Sequence, residues 1–113
     1  MTIETDIQDD AIFTHPEECV GYILDGEYHL LENISKNPKR EYKLRLKDKF
    51  FLMDLHKKGL LEALVHSHPV LDNNPSQRDM EAHLATGYNF YIIGTDGKTT
   101  TEIRRINYEE SNS

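Results

Sequence analysis

Two Asp-Gly dipeptides, each set between apolar runs, constrain this fold more than any other feature. Asp25-Gly26 joins Cys19–Leu24 to Tyr28–Leu31, and Asp96-Gly97 joins Tyr88–Ile93 to Thr99–Ile106. Such a dipeptide supplies the positive φ angles of a two-residue hairpin turn, so each is a strong hairpin signal. Two hairpins demand a sheet, and the segments around them supply helices to cover it. Ile3, Ile7, Ala11 and Ile12 recur at helical spacing with acids between them, which predicts a helix over residues 3–14. Pro16 ends it, because the residue before a proline disfavours the α region. Asn33–Arg40, rich in Asn, Ser and Pro, reads as a loop. Tyr42, Leu44 and Leu46 alternate with Lys43, Arg45 and Lys47, which predicts a half-buried strand. Asp48 then caps a helix carrying Phe51, Leu52 and Leu55 on one face, stopped by Gly59. Leu61–His68 predicts a further strand, Asp72-Asn73-Asn74-Pro75 a loop, and Ser76 the start of a helix that Gly87 ends. Met80, Leu84, Phe90 and Tyr91 are expected in the core, and residues 109–113 are expected to fray. The order helix, hairpin, strand, helix, strand, helix, hairpin gives an α/β (α+β) domain, a mixed sheet flanked by helices.

Length and charge narrow the functional classes. The 113 residues make one domain spanning residues 1–113. Twenty acids against 13 bases leave a net charge of −7, which argues against nucleic acid as a partner. The acids are concentrated: residues 1–35 hold nine and no Lys or Arg, whereas residues 36–113 are net +2. Apolar runs such as Ala63-Leu64-Val65 are far too short to span a bilayer, and no secretory signal is evident. The single cysteine, Cys19, excludes an internal disulfide and a cysteine-built zinc site, and reads as a small buried apolar residue. The expectation is a soluble, cytoplasmic protein without a membrane partner.

The chemistry is concentrated in Val65-His66-Ser67-His68-Pro69 and Pro75-Ser76-Gln77-Arg78-Asp79. Side chains alternate on a strand, so His66 and His68 point to the same side and can chelate one metal ion. Asp79, in the first turn of the next helix, can add a carboxylate oxygen. Two imidazoles and one carboxylate leave a fourth position for water, the pattern of a catalytic rather than a structural zinc site. Such chemistry also needs a proton acceptor that does not ligate, and Glu18, just before the first hairpin strand, is the candidate. Ser76 could donate to the oxyanion of a tetrahedral intermediate. It also stands three residues before Asp79 as in a capping box, and the two roles are compatible. His83, one helical turn beyond Asp79, is placed either to hydrogen-bond it or to face solvent. His15, His29 and His56 have no evident partner.

Taken together, His66-x-His68, seven residues, Ser76, two residues and Asp79, with Glu18 upstream, resemble the JAMM motif of the JAB/MPN/Mov34 metallopeptidases. Pro16-Glu17-Glu18-Cys19-Val20-Gly21 resembles the family's Pro-x-Glu-x-Cys-Gly stretch. The order and spacing of Leu31-Glu32-Asn33, Asn37-Pro38, the 49–59 helix and Ala63–Pro69 resemble bacterial members and the K-type tail-assembly proteins of tailed phages. The resemblance runs from about residue 3 to 106, with the core of the domain over residues 18–106. It implies an MPN/JAB domain of cytidine-deaminase-like architecture. It implies a zinc-dependent hydrolase of peptide or isopeptide bonds, with Zn2+ on His66, His68 and Asp79, Glu18 as general base and acid, and Ser76 as oxyanion donor. Pro75 precedes Ser76 where deubiquitinating members carry an aromatic residue, which turns the expectation away from ubiquitin chains. The partner would be a protein or peptide: a ubiquitin-like tail or a peptidoglycan peptide. The location would be the bacterial cytoplasm or a phage tail. The resemblance also leaves open a homodimer, and a non-catalytic scaffold or structural tail component in place of an enzyme.

Overall fold

The computed structural model describes residues 2–111. The elements follow in the order α1 (Ile3–Thr14), β1 (Val20–Leu24), β2 (Glu27–Leu31), α2 (Leu46–Lys57), β3 (Leu61–His68), α3 (Gln77–Thr86), β4 (Phe90–Gly94), β5 (Arg104–Ile106) and α4 (Tyr108–Ser111). The strands form a five-stranded sheet in the order β2-β1-β3-β4-β5. Only β3 and β4 run parallel, joined through α3, and the other neighbours are antiparallel. This is the mixed sheet with flanking helices that the element order predicts.

The two faces of the sheet carry two cores. On one, Ile7 and Ala11 of α1 pack on Cys19, Ile23, Ala63, Val65 and Ile93. On the other, Leu52 of α2 joins Val20, Leu44, Leu64, Tyr88 and Phe90, with Ala82 of α3 packed against them. Each fully buried Leu, Ile or Phe contributes about 1.5–3 kcal/mol over leaving it in water. Strand β3 lies at the centre, and its residues alternate between the cores. Ala63 and Val65 serve the α1 side, so Leu64, His66 and His68 face α2 and α3.

The first Asp-Gly turn is as expected, with Asp25 at φ 52° and Gly26 at φ 72° between paired strands. The second also forms a turn, held by the Asp96 carboxylate on the Lys98 and Thr99 amides. The strand expected over Thr99–Ile106 shrinks to Arg104–Ile106 plus a single bridge between Thr95 and Thr100. The loop after β3 takes the place of the missing ladder: Asn73 Nδ2 donates to the Glu102 carbonyl. Gly94 makes that possible, because a Cβ there would meet the Val70 carbonyl oxygen at 2.4 Å.

The strand expected over residues 42–46 is not formed. Tyr42 and Leu44 do turn inward, but the segment finds no strand partner. The Lys43 amide donates to the Asn33 side chain and its carbonyl accepts from the Ile34 amide. Helix α2 accordingly begins at Leu46 with Arg45 at its N-cap, and Asp48 lies in the first turn instead of capping it. Helix α3 begins and ends as expected, at Ser76 and at Gly87 in the left-handed conformation. Its buried stripe, however, is Asp79 and His83, and Leu84 is exposed. Phe90 is fully buried, whereas Met80 and Tyr91 are half-buried. Tyr108–Ser111 form a helical turn where fraying was expected; residues 112 and 113 lie outside the described residues.

Candidate metal centre

Strand β3 delivers two imidazoles to one place. His66 is fully buried; His68, next to the end of the sheet, is half-buried. Helix α3 brings Asp79 over them. A capping box fixes this end of the helix: Ser76 Oγ accepts from the Asp79 amide at 3.0 Å, and the Ser76 amide donates to Asp79 Oδ2 at 2.9 Å. Asp79 Oδ1 then stands 3.0 Å from His66 Nε2, and Oδ2 stands 2.9 Å from His68 Nε2. Both expected roles of the Ser76–Asp79 pair therefore remain open at once, since the hydroxyl accepts from the amide and keeps its own proton.

The hydrogen bonds around His68 depend on its tautomer, and those around His66 are missing among the described residues. His68 Nδ1 lies 3.0 Å from the Asp72 carbonyl, which can only accept, so Nδ1 carries the proton. A neutral His68 then turns the lone pair of Nε2 toward a carboxylate oxygen. Two acceptors face one another, which is tolerable only with a cation or a proton between them. His66 is more exacting: neither ring nitrogen has a hydrogen-bond partner among the described residues, the Asp79 contact being out of line. A buried polar atom left unpaired costs about 1–3 kcal/mol. Two imidazole nitrogens and a carboxylate, with ligand atoms within 4.8 Å of one another, form a donor set suited to a divalent metal. Ligands of a tetrahedral ion with bonds of about 2.0–2.1 Å are separated by roughly 3.3 Å; the two imidazole–carboxylate contacts, 3.0 and 2.9 Å, run to different oxygens of Asp79, so the three donors need to shift only slightly to share one ion. The residues fit a metal ion.

Electrostatics agree with the geometry. Burial would raise the Asp79 carboxyl, but the close contacts and charge of His66 and His68, with the Ser76 amide, hold it well below the ordinary range. It is therefore ionised, as a ligand must be. His68 is raised: burial opposes its charged form, and the Asp79 carboxylate overcomes that opposition.

Glu18 reaches the same cleft from the start of β1. Its amide donates to the Pro38 carbonyl at 2.7 Å, and its carbonyl accepts from Asn33 Nδ2. The next amide, Cys19 N, donates to Ser67 Oγ at 2.8 Å, so the residue between the two histidines straps Glu18 to β3. Burial pushes its carboxyl up to about 7; the charge of Asp79 adds to the rise, while His68 opposes it. Glu18, His68, Ser76 and Asp79 line one cleft of about 590 Å³. His66 lies beneath it. Cys19 is buried on the opposite core, and burial pushes its thiol up to about 12, which keeps it unreactive.

Other parts of the site were not evident in the sequence. The Tyr42 ring lies 5.0 Å from that of His66 and walls the cleft. Arg78, the residue before Asp79, pairs with Glu41 across the cleft at 3.1 Å. Tyr42's inward place in an alternating run was legible; its neighbour was not. His83 takes neither expected role: it is fully buried, with Nδ1 on the Tyr88 carbonyl at 2.7 Å and Nε2 on Ser111 Oγ at 2.9 Å. His15, His29 and His56 each acquire a partner, respectively the Pro69 carbonyl, the Tyr22 ring and the Tyr88 ring.

Comparison with known proteins agrees with this architecture. Residues 4–107 match the family described as prokaryotic homologs of the JAB domain. The fold is similar to the crystal structure of a JAB1/MPN domain protein from Archaeoglobus fulgidus, with a TM-score of 0.61 and 20 % identity over 96 % of this chain and 91 % of that one. It is also similar to the solution structure of a Desulfitobacterium hafniense protein, with a TM-score of 0.66 and 17 % identity over 93 % of this chain and 86 % of that one. No curated protein matches the sequence. Among the described residues no helix is long and apolar enough to cross a membrane.

Proposed function

We propose that this chain, which belongs to the family of prokaryotic JAB-domain homologues, is a zinc-dependent metallopeptidase that hydrolyses a peptide or isopeptide bond. The observation that carries this reading is His66: a fully buried imidazole with no hydrogen bond at either nitrogen among the described residues, its Nε2 3.0 Å from an ionised carboxylate and its ring beside a second imidazole. A merely structural histidine would be paired. His66, His68 and Asp79 would hold Zn2+, which when bound lowers the pKa of water to roughly 7 and polarises a carbonyl.

The chain's own residues divide the remaining work. Glu18, raised to about 7 by burial, takes a proton from the attacking water at its carboxylate and returns it to the leaving amine. The Ser76 hydroxyl, whose oxygen already accepts from the Asp79 amide, donates to the negative charge that develops on the carbonyl oxygen. The Asp72 carbonyl fixes the His68 tautomer so that Nε2 is the ligating atom. The substrate would be a protein tail or a peptidoglycan peptide, met in the bacterial cytoplasm or on a phage tail.

The test is elemental analysis of the wild type beside His68→Ala and Glu18→Gln, followed by a cleavage assay. One zinc per chain is expected in the wild type and in Glu18→Gln, with cleavage in the wild type alone, and no zinc in His68→Ala. A folded wild type that takes up no zinc when it is supplied would remove the peptidase reading and leave a non-catalytic scaffold.

A further inference from the structure

The charge of this chain is segregated in a way that bears on the cleft. The whole molecule is net −7, yet residues 36–49 hold seven of its 13 Lys and Arg against two acids. All seven are exposed. Among the described residues only Arg45 of the seven has an ion pair, with Glu32. Of the other six, Lys43 acts through its charge on Glu41, and Lys36, Lys39, Arg40, Lys47 and Lys49 form no ion pair among the described residues.

Their position gives that charge a direction. Lys39 and Arg40 line the cleft that holds His68, Asp79 and Glu18. Lys43 and Lys49 line a second cleft of about 580 Å³, between α2 and α3. The two share Glu41, Tyr42, Arg78 and Ala82, so they adjoin end to end, with Tyr42 and the Glu41–Arg78 pair at the junction. Away from the metal centre the floor is apolar, built from Leu44, Met53 and Tyr88, with Met53 half exposed to solvent. The rim is basic on the α2 side, at Lys43 and Lys49, while Glu18, Glu41, Asp72 and Asp79 line the metal end. A basic rim over an apolar floor suits an extended chain that alternates acidic and apolar side chains. The apolar members would bury themselves on the floor while the carboxylates meet the lysines. Nucleic acid fits less well, because the floor offers apolar carbon to bury against and phosphates bring none.

We infer that the groove running from the metal centre between α2 and α3 is the docking track for an acidic–apolar polypeptide segment, on one side of the bond to be cleaved. This rests on the peptidase reading and adds the substrate class to it.

The experiment is fluorescence anisotropy on chelator-treated full-length protein, which binds without turnover. The probes are a labelled peptide alternating Glu and Leu, its Lys-for-Glu and Ser-for-Leu counterparts, and a labelled single-stranded oligonucleotide. The Glu–Leu peptide should bind best, the Ser-for-Leu peptide more weakly and the Lys-for-Glu peptide not at all. Lys43→Glu/Lys49→Glu should weaken the Glu–Leu peptide by about tenfold or more, and raising salt to about 0.5 M should weaken it in the wild type. The salt series stands by itself if the double variant does not fold. Equal binding of the acidic and basic peptides, indifference to both charge reversal and salt, or preference for the oligonucleotide would overturn the inference. Because the readout needs neither metal nor catalysis, an inactive protein that still binds the peptide counts against the peptidase reading alone. An active protein that ignores the peptide counts against the docking track alone.

Discussion

Two histidines flank the same phenylalanine and are treated in opposite ways. His66 and His83 are both fully buried, with ring centroids 6.0 Å and 5.4 Å from that of Phe90 and both rings edge-on to it. His83 is complete: its Nδ1 proton goes to the Tyr88 carbonyl and its Nε2 lone pair meets the Ser111 hydroxyl. His66 has neither bond among the described residues, only the Asp79 carboxylate 3.0 Å from Nε2. Burial by itself therefore does not separate a structural histidine from a ligand, because both rings show the same exposure. What separates them is whether the fold has answered both nitrogens. A fold that pairs His83 to a helical turn 28 residues away had the means to pair His66 and left it open, next to a carboxylate held ionised. An unmet cost of about 1–3 kcal/mol in the core is kept where something outside the protein chain can meet it.

The comparison breaks most directly under substitution of the two rings. His66→Ala should weaken zinc by more than 100-fold, since losing a ligand exceeds the roughly 10–100-fold cost of losing a group that only orients one. His83→Ala should leave one zinc per chain and instead lower stability by about 2–4 kcal/mol, through a cavity and an unpaired Tyr88 carbonyl. Chelator competition and urea unfolding on the two variants measure both. Zinc loss in a folded His83→Ala, or full zinc affinity in His66→Ala, would undo the distinction. Turnover should divide the same way. Ser76→Ala should slow cleavage by about 10²-fold while retaining zinc, if its hydroxyl is the oxyanion donor we propose, and should cost about 1 kcal/mol of helix capping.

A smaller effect tests the partner of His68. Gly94 lies opposite His68 in the β3–β4 ladder, and a Cβ there would stand 2.5 Å from the Asp72 amide nitrogen. Gly94→Ala must push the Val70–Asp72 backbone away, and with it the carbonyl that holds His68 Nδ1. Zinc affinity should fall by about 10–100-fold although the substituted residue touches no ligand. Unchanged affinity would mean that the Asp72 carbonyl does not orient the ring.

What the sequence could disclose follows from the same division between local and distant causes. The Asp25-Gly26 turn, the pairing of His66 with His68 on one side of a strand, and the Ser76–Asp79 capping box are each decided within a few residues, and each was legible. The segment at Tyr42–Leu46 has the alternation of a strand and the burial of one, but a strand needs a neighbour. Its amide at Lys43 was captured by Asn33, ten residues away. On α3 the apolar pair Met80 and Leu84 suggested the buried stripe; the polar pair Asp79 and His83 took it, because their partners on β3, at Tyr88 and at Ser111 wait on that side. Hydrophobic periodicity registers no reward for a polar side chain whose partners are distant in sequence. The groove beside α2 was hidden for the same reason, since Lys43, Lys49, Arg78 and Tyr88 meet only in the folded chain.

Glu18 extends the comparison from imidazoles to a carboxylate and gives its mildest test. It is buried in the cleft, and among the described residues no donor bonds its carboxyl, so its pKa rises from an ordinary 4.5 to about 7. In metal-free protein the protonated form is the one the fold prefers. The stability it contributes is fully present below about 4.5, the unfolded value, and is lost as pH rises through about 7. Glu18→Gln removes the charge without changing the shape. The metal-free variant should therefore match the wild type near pH 4 and be more stable by about 2 kcal/mol at pH 8, read as a shift of the urea midpoint. With zinc bound the gain should shrink, because a cation nearby favours the carboxylate. A metal-free Glu18→Gln no more stable than the wild type at pH 8 would mean that Glu18 is well solvated, and that an unpaired polar group here is not a mark of function.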